Sequence, residues 1–126
     1  IKMSTSSMKN EAGACHCGMC RKWGGGPFIE VNCGNDVKVD GEDFVQVYNS
    51  SEWAERAFCK KCGTHLFYRL KHNNEHMVPA GFFGDSIDPQ FKLQVFIDKK
   101  PDYYNFSEKT DVLTEQQIFD MYAPKE

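Results

Sequence analysis

Two short clusters of cysteines constrain this chain more than any other feature of its sequence. Five of the six cysteines lie in Cys15–Cys20, which reads CHCGMC, and in Cys59–Cys62, which reads CKKC. Cysteines that fill a core are usually scattered among aliphatic residues, whereas C-x-C and C-x-x-C spacings bring several thiolates to one point. Such sets of thiolates are typical zinc ligands. We therefore predict a zinc-binding protein, with free thiols or transient disulfides as the alternative.

The composition is that of a small globular protein without a nucleic-acid or membrane partner. The 126 residues suffice for one domain with its own core, so we expect residues 1–126 to form a single domain. A net charge of −3 provides no basic surface for nucleic acid or anionic lipid. No apolar run approaches the roughly 18 residues that a membrane span needs. Clustered cysteines without an export signal favour a reducing compartment, and we expect a cytoplasmic protein.

Alternation of apolar and polar residues predicts a mostly-β fold of short antiparallel sheets. Alternation of period two is the pattern of half-buried strands. Turn residues separate the alternating segments, and Asn73-Asn74 suits the tip of a hairpin. The predicted strands lie at residues 1–5, 28–33, 44–48, 65–70, 77–78 and 93–97. Cys33 shares the apolar side of its strand with Ile29 and Val31, so we predict that it is a core residue rather than a metal ligand.

One helix is predicted near the C-terminus. Thr114 followed by Gln117 forms a capping box, in which each side chain bonds the backbone N–H of the other residue. Ile118, Phe119 and Tyr122 then have the spacing of an apolar helix face, and Pro124 is predicted to end the helix.

The spacing of the cysteines permits two metal arrangements. In a zinc ribbon, Cys17 and Cys20 join Cys59 and Cys62 in one closed structural site. In the other arrangement, Cys15, Cys17 and Cys20 hold one metal with an open fourth position, and Cys59 with Cys62 supplies half of a second site. Glycines follow Cys17 and Cys62, and we expect both to take the positive φ of a tight turn.

Several of these segments together resemble one known family. They are Gly13–Trp23, which holds the first cluster, Gly26–Phe28, Phe58–Tyr68, which holds the second cluster, and Val95–Pro101. All are similar to segments of the glutathione-dependent formaldehyde-activating enzymes, a family that also includes centromere protein V. The likeness extends over essentially the whole chain.

The resemblance implies a compact β fold built around two zinc sites. Cys15, Cys17 and Cys20 match the ligands of the catalytic zinc, and Cys59 with Cys62 matches half of a structural zinc site. The other half in the family is an upstream C-x-C-G element that the given sequence lacks. We expect that a native N-terminal segment carrying it precedes Ile1, so that the full-length protein binds two zinc ions.

The resemblance also implies an activity: a carbon–sulfur lyase that joins glutathione and formaldehyde to S-(hydroxymethyl)glutathione. The implied partners are therefore a small thiol such as glutathione and a small aldehyde. Three thiolates leave a zinc centre negative, and we expect Arg21 and Lys22 either to offset that charge or to bind the carboxylates of glutathione. His16 lies between two ligands and is a weaker candidate for a catalytic role.

Two other functions stay open at this stage. A non-catalytic binding module with one Cys₄ ribbon site is the main alternative to the enzyme. A thiol-based metal buffer or redox sensor is a further one.

Overall fold

The structure, a computed structural model, describes residues 1–122 of the chain, apart from the side chain of Tyr122. The strands are β1 Lys2–Ser4, β2 Glu11–Cys15, β3 Phe28–Asn32, β4 Lys38–Asp40, β5 Val45–Tyr48, β6 Ala54–Cys59, β7 His65–Leu70, β8 His76–Pro79, β9 Gln90–Val95 and β10 Asp111–Leu113. The α-helices are α1 Gly18–Gly24 and α2 Glu115–Tyr122. Short 3₁₀ turns occupy Glu42–Phe44, Ala80–Ser86 and Ile97–Lys99.

Eight strands form one mixed sheet, and its parallel part positions the first cysteine cluster. The strand order is β10-β9-β2-β3-β8-β7-β6-β5, while β1 pairs with β4 in a separate small sheet. Strand β9 runs parallel to both β2 and β10, whereas the pairs between β3 and β8 and between β6 and β7 are antiparallel. Because β2 and β9 run in the same direction, they end together at the paired residues Cys15 and Val95. The chain leaves the sheet at this point and enters α1.

The buried side chains of the large sheet form two clusters that lie on opposite faces, because successive residues of a regular strand alternate. Leu66 and Phe67 belong to the same cluster, since the register of β6 with β7 shifts at this point. The core face, packed against Met3 and Val39 of the small sheet, buries Ala12, Val31, Cys33, Ala57, Leu66, Phe67 and Val78. The site face buries Cys15, Cys20, Phe28, Ala54, Leu70 and Met77, with Trp23, Trp53, Tyr68 and Phe96 packed around them. The prediction that Cys33 is a core residue is therefore confirmed.

The mostly-β fold with a C-terminal helix is confirmed, although its detail differs from the prediction. Strands occur in all six predicted segments, and Asn74 takes a positive φ of 61° at the tip of the β7–β8 hairpin. Two pairs of neighbouring strands are parallel, which the alternation did not predict. Strands β2, β4, β6 and β10 and helix α1 were not predicted.

The predicted capping box is present at the start of α2. The backbone N–H of Thr114 donates to Gln117 Oε1 at 2.7 Å, and the N–H of Gln117 donates to Thr114 Oγ1 at 3.2 Å. The predicted end of the helix at Pro124 lies outside the described residues. Within residues 1–122, no helix is long and apolar enough to cross a membrane.

Helix α1 has the cysteine cluster at its start and a glycine cap at its end. Gly25 takes a left-handed conformation with φ 87°, and its N–H donates to the carbonyl of Arg21 at 2.7 Å. Gly63 also takes a positive φ, of 77°, as predicted, but Gly18 does not, because it is the first residue of the helix. A side chain placed on Gly24, Gly25 or Gly26 would meet no atom within 4 Å.

The two adjacent glycines at the end of α1 give a matched test of this cap. We expect Gly25→Ala to destabilise the protein by about 1 kcal/mol, because an L-residue with a Cβ is strained at positive φ. Gly24→Ala should instead be neutral or stabilising by up to about 1 kcal/mol, because Gly24 is helical. Urea unfolding measures both changes, and equal effects would contradict the cap.

Candidate metal and active site

Three sulfur atoms converge where β2 ends and α1 begins. Cys15 is the last residue of β2, Cys17 is the N-cap of α1, and Cys20 lies in its first turn. Their Sγ atoms all lie within 4.8 Å of one another, and no other group of three or more potential ligands is found in residues 1–122. Tetrahedral zinc with Zn–S bonds of about 2.3 Å places its sulfurs about 3.8 Å apart. The donor set and its spacing therefore fit zinc.

The second pair of cysteines does not join this cluster. Cys59 is buried and Cys62 is exposed, at the two ends of the turn between β6 and β7. Cys62 Sγ lies 3.0 Å from Thr64 Oγ1. Neither of these sulfurs is grouped with those of Cys17 and Cys20, so the zinc-ribbon arrangement is wrong. The pair Cys17 and Cys20 and the pair Cys59 and Cys62 lie at different places in the fold.

A buried arginine on β6, next to the edge strand β5, faces the sulfur cluster. Arg56 on β6 is only 5% exposed, and its Nη2 donates to Cys20 Sγ at 3.4 Å. Its guanidinium lies 4.9 Å from the centre of the Trp23 ring and 5.0 Å from that of Tyr68, in reach of cation–π attraction to both. Its Nε and Nη1 have no hydrogen-bond partner among the described residues. Arg56 therefore brings a positive charge with unused donors to the thiols.

Hydrogen bonds within the cluster give the three thiols different acidities. Hydrogen bonds from Cys15 and Cys20 lower the pKa of Cys17 to about 2, with further contributions from the Cys20 backbone N–H and the charge of Arg56. That N–H lies 3.3 Å from Cys17 Sγ. The hydrogen bond to Cys17 raises the pKa of Cys15. The negative charge of the cluster therefore resides first on Cys17, at the N-terminus of α1, where the helix dipole favours it.

His16 points away from the cluster, although it lies between two of its cysteines. It follows Cys15 along the strand direction and therefore points to the opposite face, where it is completely buried. Its Nε2 lies 2.8 Å from Gln94 Oε1, and its Nδ1 lies 2.8 Å from Tyr104 Oη. Burial lowers its pKa. Since both ring nitrogens are occupied, His16 supports the fold and is available neither as a metal ligand nor as an acid or base.

Arg21 and Lys22, which were predicted to offset the charge of the cluster, lie elsewhere. Arg21 Nε donates to the carbonyl of His16 at 3.0 Å, and Lys22 is exposed. The charge that contacts a sulfur belongs to Arg56, which no motif indicated, because its partner Cys20 lies far away in the sequence. The binding of glutathione by Arg21 stays a prediction.

A cleft of about 310 Å³ opens beside the cluster. Cys17, Cys20 and Arg56 lie in its wall together with two hydroxyl-bearing serines, Ser50 and Ser51. The other wall residues are Gly18, Met19, Trp53, Tyr68, Phe96, Glu115 and Phe119. A small molecule in this cleft can therefore reach the sulfurs, the guanidinium and several hydroxyl groups at once.

Two titratable residues of the site face were not predicted from the sequence. Tyr68 on β7 is next to Arg56 in the sheet register, and burial raises the pKa of its hydroxyl. Glu30 on β3 lies among apolar side chains, and burial raises its pKa to about 8, although Arg56 lowers it and Cys17 raises it further. At neutral pH both groups are protonated and can donate a proton. Their place in the site becomes visible only in the folded sheet, where Tyr68 lies next to Arg56.

With this geometry established, comparison with known proteins identifies the family. A family model described as glutathione-dependent formaldehyde-activating enzyme matches residues 1–99. The chain belongs to this family. The resemblance of the cysteine motifs is thereby confirmed, and the match includes both clusters.

Two known proteins are similar to this chain, one in sequence and one in fold. A Schizosaccharomyces pombe protein named an uncharacterized lyase is 38% identical over 105 residues, which cover 82% of this chain and 77% of the relative. The crystal structure of a Rhodobacter sphaeroides protein matches with a TM-score of 0.50 at 24% identity, over 62% of this chain and 72% of that one. The second similarity concerns the fold alone.

Glu30 gives the site a testable dependence on pH. Its pKa is about 8 in the folded protein against an ordinary value of 4.5, so the folded state holds its proton more tightly than the unfolded state does. Wild-type protein should therefore lose stability, relative to Glu30→Gln, as the pH rises from about 4.5 to 8. We compare the melting temperature of Glu30→Gln with that of wild type at each pH. We expect this difference to become more favourable to Glu30→Gln by about 5 °C or more from pH 5 to pH 8.5.

Differential scanning fluorimetry at the two pH values measures this difference. Arg56, Cys17 and Tyr68 are the charged or titratable groups around Glu30, and they are the same in both proteins, so their own titration largely cancels. Glu52→Gln, at an exposed position, is the control. A pH-independent difference between Glu30→Gln and wild type would contradict the buried carboxyl.

Proposed function

We propose that this chain is a zinc-dependent carbon–sulfur lyase that joins glutathione and a small aldehyde, formaldehyde being the aldehyde that the family name implies. The observation that carries the proposal is the convergence of three thiols and a buried guanidinium beside one open cleft, with Cys17, Cys20 and Arg56 in its wall. Three protein thiolates are one fewer than a closed structural zinc site uses. This arrangement leaves a position for a substrate thiol beside a cavity that holds it.

Cys15, Cys17 and Cys20 would hold the zinc ion of this site. Zinc bound there would keep the glutathione sulfur as a thiolate, which is the nucleophilic form of a group whose free pKa is about 8.5. The protein's part is to compensate the charge of so many sulfurs. Arg56 does so from a buried position, where its attraction to the thiolates is screened less than at the surface.

Tyr68 is the residue that we assign to proton donation. In the reaction the glutathione sulfur forms a bond to the aldehyde carbon, the C=O π bond breaks, and the carbonyl oxygen takes up a proton. The Tyr68 side chain lies in the wall of the cleft, and burial raises the pKa of its hydroxyl, which stays protonated at neutral pH. The Tyr68 hydroxyl donates a hydrogen bond to the carbonyl oxygen and gives its proton to the alkoxide as that alkoxide forms. The proton that the glutathione thiol releases then restores the Tyr68 hydroxyl.

We further propose that Arg21, on the same helix as the cysteines, binds a carboxylate of glutathione. We also propose that Cys59 and Cys62 supply two ligands of a second, structural zinc site. None of the six cysteines forms a disulfide, which supports a cytoplasmic location. The same observation supports a single domain that is stabilised by metal instead of disulfides.

The proposal predicts different outcomes for the site cysteine Cys17 and the core cysteine Cys33. Cys17→Ala should lose one equivalent of zinc and all acceleration of the exchange between glutathione and S-(hydroxymethyl)glutathione, because it removes a ligand. Cys33→Ala removes a thiol from the core face and should retain both. Metal analysis and two-dimensional NMR exchange, corrected for the uncatalysed rate, measure the two properties. Zinc-loaded wild-type protein that does not accelerate the exchange would overturn the proposal.

Tyr68→Phe separates proton donation from metal binding. We expect it to lower the catalysed rate about 100-fold, the effect of losing a positioned acid, with an unchanged zinc content. Tyr103→Phe is the matched control, because the Tyr103 side chain is 73% exposed. If Tyr68→Phe keeps the wild-type rate, the proton comes from another group of the cleft.

A further inference from the structure

A second cavity lies on the site face, deeper than the cysteine cleft. Its volume is about 160 Å³, and its wall is almost entirely apolar, with Leu70, Met77 and Leu93 on the sheet side and Ile118 on helix α2. At its rim lies Met121, whose side chain is 57% exposed. Unfilled apolar space of this size costs a protein stability. An occupant is therefore the natural explanation of a cavity retained beside a functional site.

The cavity adjoins the cysteine cleft. Four aromatic residues, Trp53, Tyr68, Phe96 and Phe119, line both spaces. Phe119 packs edge-to-face on Trp53 and on Phe96, with ring centroids 5.4 and 5.9 Å apart. These packed rings form the boundary between the two spaces, so a molecule whose reacting atom lies beside Cys17 and Arg56 reaches the apolar cavity when its substituent displaces the Phe119 ring.

The size of the cavity indicates what it holds. An apolar protein cavity of about 150 Å³ stays dry and binds benzene. Formaldehyde carries no substituent and would leave the present cavity empty. We propose that the cavity binds an apolar substituent of the aldehyde, about the size of a benzene ring, so that the chain acts on aromatic aldehydes in preference to formaldehyde. The inference rests on the proposed function and names its substrate class.

Glu30 is consistent with an apolar occupant. Within residues 1–121, it is the one acidic residue in the wall of this cavity. Because burial holds its pKa near 8, its carboxyl is uncharged at neutral pH and does not draw water into the cavity. The reaction with benzaldehyde balances as it does with formaldehyde: the S–C bond forms, the carbonyl π bond breaks, and the oxygen takes the proton that leaves the thiol. The product is the thiohemiacetal, and no oxidant or reductant is needed.

Binding of two unreactive glutathione thioethers tests the proposal without catalysis. S-benzylglutathione places a phenyl ring where the benzaldehyde adduct has one, and S-methylglutathione lacks the ring. We expect the wild-type protein to bind the benzyl compound at least about tenfold more tightly, because a buried ring contributes hydrophobic free energy. NMR should show contacts between the benzyl protons and the methyl groups of Leu70 and Met77. Equal affinities, or the absence of these contacts, would overturn the proposal.

Two variants of α2 locate the effect. Ile118→Trp fills the cavity, and we expect it to abolish the preference for the benzyl compound while leaving the affinity for the methyl compound unchanged. Gln116→Trp adds the same side chain at an exposed position of the helix and should keep the preference. A preference that survives in a folded Ile118→Trp protein would contradict the assignment. If that variant does not fold, the contacts measured in wild type decide the question.

Exchange rates separate this inference from the proposed function. If wild-type protein accelerates thiohemiacetal exchange with benzaldehyde more than with formaldehyde, and Ile118→Trp reverses the order, both are supported. Acceleration with formaldehyde alone, together with equal thioether affinities, overturns the cavity assignment and leaves the lyase. A benzyl preference with no acceleration for any aldehyde overturns the lyase, and the cavity is then a binding site for an aromatic group.

Discussion

The contact between the Arg56 guanidinium and the Cys20 sulfur is the interaction on which this site depends. Three thiols brought to one buried point repel one another once they ionise, and a metal ion with three thiolates is still negative. A cation next to them must itself be removed from water, at a cost of several kcal/mol. The rings of Trp23 and Tyr68 replace part of the lost hydration by cation–π attraction. Trp23 and Tyr68 therefore stabilise the buried positive charge of Arg56, and that charge in turn stabilises the thiolates.

The geometry of the sheet determines which neighbours of a cysteine take part in the chemistry. Cys15 and His16 are adjacent in the chain, yet the alternation of the strand sends one side chain to the site face and the other to a hydrogen-bonded position behind it. The same rule places Glu30 and Tyr68 on the site face and Cys33 on the core face. The parallel pairing of β2 with β9 completes this layout by bringing Phe96 to the edge of the cleft.

The sequence predicted those features that depend on local spacing. The three clustered thiols, the capping box of α2 and the core position of Cys33 all follow from residues a few positions apart. Arg56 and Glu30 were missed because each lies in a strand whose composition gives no sign of function, and its partners come from other strands. Helix α1 was missed because its seven residues begin and end with glycine. The relation between the two cysteine clusters is tertiary, so spacing left it open.

The matched family region ends at residue 99, whereas α2 begins at Glu115. The sulfur ligands and Arg56 lie inside that region, but Ile118 and Phe119, which shape the apolar cavity, lie beyond it. Under the proposed function, the reactive centre lies wholly inside the family region, whereas the cavity that would select the substrate takes part of its wall from beyond that region. Exchange of the last stretch can therefore reshape this cavity while the sulfur ligands and Arg56 stay in place.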